Sequence, residues 1–136
     1  MEHLQLHELR VGIEARSATA LSQDHQWLIP WQVTNLSNET LAIDEVRIPH
    51  DQFQGSDVTV LPALAIPAGG MIAVPSVVRF HEPALSVLTY PFIIIRGLWR
   101  GQAYRVFGRL RVETNVYGAP QPFCEEVTVQ IIRNVR

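Results

Sequence analysis

The sequence predicts an all-β antiparallel sandwich of seven to eight short strands, one domain over residues 1–136, and three observations predict it. No window of about 12 residues keeps the 3.6-residue apolar period of a helix, whereas two-residue alternation recurs along the chain. Clusters of Gly, Pro, Asn and Ser separate the alternating stretches at the spacing of short strands. A chain of 136 residues can bury about two thirds of its unfolded surface, so its core suffices without disulfide or metal.

Leu9, Val11, Ile13 and Ala15 alternate with Arg10, Gly12, Glu14 and Arg16 as a first strand. Leu4 and Leu6 are out of phase with it, which places a break near His7 and Glu8. In the second strand, Gln26 to Thr34, Trp27, Ile29, Trp31 and Val33 share a face, and Pro30 marks an irregular position. The polar turn 35–39 follows. Leu41 and Ile43, then Val46 and Ile48, make a third strand whose phase changes at Asp44 and Glu45 before Pro49 stops it. Residues 49–57 read as a polar loop, and Val58 to Ile66 as a strand interrupted by Pro62. A tight turn at 67–70 leads to Met71 to Phe80 and then to Ser86 to Ile95, which is apolar on both faces as a central strand is.

A turn over Arg96-Gly97-Leu98-Trp99-Arg100-Gly101 joins that strand to Tyr104 to Glu113 in a hairpin. Tyr104, Val106, Gly108, Leu110 and Val112 point to the core, and Arg105, Phe107, Arg109 and Arg111 point away. A loop over 118–122 precedes an eighth strand containing Val127, Val129 and Ile131. Leu98-x-x-Gly101-x-x-Tyr104-x-Val106 resembles the corner of fibronectin type III domains, where a leucine and a glycine precede a tyrosine opening the next strand. The resemblance implies an immunoglobulin-like sandwich and a buried phenol whose hydroxyl caps backbone.

All eleven basic residues are arginine, and they are segregated. Residues 1–82 carry four arginines against ten acids, and residues 83–112 carry five arginines and no acid. The whole chain has a formal net charge of −2, which argues against nucleic acid as a partner. One cysteine, Cys124, reads as an ordinary strand thiol and excludes an internal disulfide. No signal-peptide pattern opens the sequence and no apolar run nears the roughly 20 residues of a span. The expectation is a soluble cytoplasmic protein, or a secreted one if a leader precedes these residues.

Catalytic constellations are missing from the sequence: it holds no nucleophile motif, P-loop, Cys-x-x-Cys pair or dinucleotide fingerprint. His3 and His7 stand about 13 Å apart on a strand. His50 with Asp51 and His81 with Glu82 would hold a cation only by meeting at one end of the sandwich. The expectation is therefore no enzyme, no cofactor and no metal. Trp99, at the hairpin tip between Leu98 and Arg100, has the composition of an interface anchor. Arg105, Arg109 and Arg111 span about 20 Å of one face with Phe107 among them. The sequence thus predicts a non-catalytic protein–protein interaction or assembly module that self-associates, with Arg96, Trp99, Arg100, Arg105, Phe107, Arg109 and Arg111 in the contact. The alternative is a module binding an anionic or carbohydrate ligand through the arginine face with Trp99, Phe107 or Tyr117.

Overall fold

In the computed structural model, which describes residues 8–56 and 58–132, alternation becomes a sandwich of two antiparallel sheets. Eight longer strands carry it: β1 (Val11–Ala15), β3 (Gln26–Asn35), β4 (Leu41–Arg47), β7 (Val58–Ile66), β8 (Met71–Arg79), β10 (Phe92–Trp99), β11 (Gln102–Thr114) and β12 (Pro120–Ile132). Short strands β2 (Thr19–Ala20), β5 (Pro49–His50), β6 (Phe53–Gly55) and β9 (Val87–Leu88) fill the ends. The first sheet runs β1-β3-β8-β6-β5, with β2 also on β3; the second runs β12-β11-β10-β4-β7, with β9 on β11. Their inner rows, including Ile29, Trp31 and Val33 against Ile93, Ile95, Val106 and Leu110, form one core.

Local chemistry explains where the ladders break. Pro30 faces Pro75 across β3 and β8, and beside Pro30 the edge line on β3 is interrupted between β1 and β2. The phase change expected at Asp44 and Glu45 is a bulge: Ile43 faces Gly97 and Glu45 faces Arg96, so Asp44 is the extra residue. The same site shifts the register against β7, where residues 60–63 lie between the two phases.

Several expectations change. Residues 49–55 are not loop but the hairpin β5–β6, because Phe53 alternates into the core and is fully buried. The strand expected over Ser86 to Ile95 is split into β9 and β10, and β10 runs on through Trp99. The hairpin turn is therefore only Arg100 and Gly101, both at positive φ (54° and 73°), the geometry that a two-residue connection demands. Pro120, read as loop, opens β12. The break near His7, the His3–His7 pair and Asp57 lie outside the described residues.

Tyr104 is buried and caps backbone as expected, but across the sheet: its hydroxyl donates to the Ala42 carbonyl at 2.8 Å. Gly97 allows this approach, since a Cβ there would stand 1.8 Å from the same carbonyl oxygen. Leu98 points outward and is 51% exposed, so this corner is built without a buried leucine.

Candidate functional site

Strand register assembles the outer face of the second sheet. Arg96 lies opposite Arg105, Ile94 opposite Phe107 and Phe92 opposite Arg109, while β12 sets Gln130, Thr128 and Glu126 beside Arg105, Phe107 and Arg109. The arginine row exists as expected, and acidic neighbours on the same face pair with Arg96, Arg109 and Arg111. Arg96 meets Glu45 at 3.8 Å. Arg105 donates to Gln130 at 2.8 Å and covers the Phe107 ring at 5.0 Å. Arg109 stands 3.4 Å from both Glu125 and Glu126. Arg111 pairs with Glu125 at 3.0 Å and with Glu113, and lies over the Phe123 ring at 4.6 Å. Exposed pairs of this kind contribute at most about 1 kcal/mol each. Their larger effect is to cancel the positive field that an anionic partner would need.

Trp99 corrects an expectation. It is 3% exposed rather than presented at a tip, and its indole N–H donates to the Ser37 hydroxyl at 2.9 Å. Arg100 stacks over its ring at 5.4 Å and meets Glu39 at 3.4 Å. Parity carried the signal: Ile93, Ile95, Gly97 and Trp99 occupy one face once the strand is continued to the two-residue turn. Ser37 is itself fixed by Asn35, whose side chain accepts from the Ser37 amide and hydroxyl and donates to the carbonyls of Glu39 and Ile66. Asn35 is fully buried, its side chain used to hold the 35–39 turn.

Two bulges flank β11 at one level, and sequence reasoning missed both. On one side Phe92 faces Arg109, the Leu110 amide donates to the Pro91 carbonyl, and Leu88 faces Val112, so Thr89 and Tyr90 together oppose Arg111. Tyr90 is turned out and is 79% exposed. On the other side Arg109 faces Glu126 and Leu110 faces Cys124, which leaves Glu125 as the extra residue. That bulge puts both carboxylates beside Arg109, where strict alternation would separate them. Leu85, at φ 66°, is also exposed, held by the hydrogen bond its backbone N–H donates to the Thr114 carbonyl at 2.8 Å. Tyr117 lies in the neighbouring β11–β12 turn.

Beside the start of β3 and the end of β8 the structure brings Asp51, His81 and Glu82 around one shallow cavity, with His25, whose ring stacks on His81 at 3.8 Å. His50 turns to its own loop, its Nδ1 accepting from the Gln52 amide at 3.1 Å. Among the described residues no three His, Cys, Asp or Glu side chains converge in a metal-holding arrangement. Cys124 faces inward against the core, and burial pushes its thiol pKa up, the condition of an unreactive strand cysteine. Among the described residues no helix is long and apolar enough to cross a membrane. No family model, curated protein or solved structure matches the chain.

Proposed function

We propose that this protein is a non-catalytic assembly module of the immunoglobulin-like type that self-associates through the edge of β12. The strand order supports the type: β1-β3-β8-β6 corresponds to the ABED sheet of such sandwiches and β11-β10-β4-β7 to the opposing GFC sheet with one added strand. β12 then extends that sheet beyond the usual edge. One departure is that β5 and β6 precede β7 in the chain.

The observation that carries the assembly reading is the state of the edges. β1 is short and broken from β2, β5 has two residues, and β7 contains Pro62 at a register shift. The first half of β12 is blunted by Pro120, Pro122 and the Glu125 bulge. Its last six residues, Val127 to Ile132, hold no proline, charge or bulge. Val127, Val129 and Ile131 there are only partly covered by the core. An unblunted edge is a template for another strand, and a second β12 related by a two-fold axis pairs antiparallel with it. The hairpin contact expected from Trp99 is replaced by this edge, because Trp99 is interior.

Light scattering on a sizing column tests the reading. The chain should run as a dimer at about 50 mM and about 500 mM salt alike, since backbone and apolar contacts are poorly screened. Val129→Lys, which places an inward lysine at the centre of the edge, should give a folded monomer, with Ile132→Lys as a milder second variant. A wild-type monomer at both salts removes the proposal.

A further inference from the structure

Beside the Thr89–Tyr90 bulge a cavity of about 250 Å³ lies on the outer face of the second sheet. Rings of Tyr90, Phe92 and Phe107 line it. Phe92 and Phe107 are 6.2 Å apart at 47°, an open V, and Arg105 backs Phe107 from outside. Polar atoms come from Arg109, Glu126, Thr89 and Thr128. The floor is therefore apolar ring surface, and the rim offers guanidinium donors, carboxylate acceptors and hydroxyls able to do either.

Charge narrows the ligand. Arg109 is held by Glu126 and by Glu125, each at 3.4 Å, so the rim carries no positive excess for an anion. A purely apolar group would cover these polar atoms without satisfying them, at a cost in free energy. A ring with one apolar face and a hydroxylated edge meets both demands. The volume lies below the roughly 300 Å³ at which drug-sized sites begin, which leaves room for one ring. We propose that this cavity binds a single neutral pyranose unit, its C–H face on Tyr90 and Phe107 and its hydroxyls on Arg109, Glu126 and Thr128. This inference does not require a β12 dimer, although Glu126 and Thr128 belong to β12.

Amide chemical-shift titration of the whole chain tests it, with methyl glycosides of glucose, galactose, mannose and N-acetylglucosamine as probes. Sodium glucuronate serves as the anionic comparison and p-cresol as a ring without the hydroxyl edge. At least one glycoside should bind with a Kd on the order of 1–10 mM, the range for one small ring, and shift residues 89–92, 107–109 and 126–128. Tyr90→Ala, at an exposed position, should keep the fold and weaken binding about tenfold. Silence from all four glycosides, shifts elsewhere on the fold, unchanged affinity in Tyr90→Ala, or tighter binding of glucuronate or p-cresol would each overturn the proposal.

Discussion

Tyr104 shows how one side chain can secure two distant strands. Its phenol is buried, donates to the Ala42 carbonyl, and sits where Gly97 leaves space beside the Asp44 bulge. Burial first, and then the negative charge of Asp44, push its pKa well above the usual phenol range. The folded state therefore favours the neutral phenol more than the unfolded chain does. That contribution is complete below the unfolded value of about 10 and is lost as pH rises beyond it toward the higher folded value. Tyr104→Phe should cost about 1–3 kcal/mol at neutral pH, because the Ala42 carbonyl loses its donor in a buried site. The same variant should flatten the alkaline decline, and urea midpoints followed from neutral pH to above about 10 check both effects. Equal midpoints for the two proteins at neutral pH would show that the hydrogen bond contributes nothing.

Strands were legible in proportion to how cleanly their two faces differ. The phase change at Asp44 could be read because apolar and polar residues alternate around it, and the structure shows a bulge there. The Thr89–Tyr90 bulge could not, since an apolar run on both faces has no phase to break. Phe53 was hidden for another reason: a three-residue strand is too short for alternation to register. The arginine row was visible from parity, but the share of its neutralisation that comes from Glu125 was not, because Glu125 reaches Arg109 and Arg111 only as an extra residue on β12. Deleting Glu125 should restore a regular ladder with Leu110 still facing Cys124 and Arg109 still facing Glu126. Stability should change by no more than about 1 kcal/mol, given that the lost pairs are exposed. Retention on a cation exchanger should rise as Arg109 and Arg111 lose a shared carboxylate. Loss of the fold on deletion would instead make the bulge a structural requirement of the sandwich.

At the scale of the molecule, segregated charge and unequal edges pull in different directions. Arg96 and Arg100 meet Glu45 and Glu39 of the acidic first region, Arg109 and Arg111 meet acids of β11 and β12, and Arg105 is held by Gln130, so most of the basic stretch is paired in space. Little long-range field is left to steer a partner, which shifts the burden of association to backbone and apolar surface. In a free β12 edge, alternate amides between Val127 and Ile132 face solvent, while the others bond to β11. A second β12 would occupy the solvent-facing set and leave the β11-bonded set nearly unchanged. Hydrogen exchange should therefore show alternate residues of this segment gaining protection as protein concentration rises through the dimer's dissociation constant. Val129→Lys should keep that set fast at every concentration. Uniform protection of all six amides, independent of concentration, would mean that the edge is already covered within one chain and that assembly uses another surface.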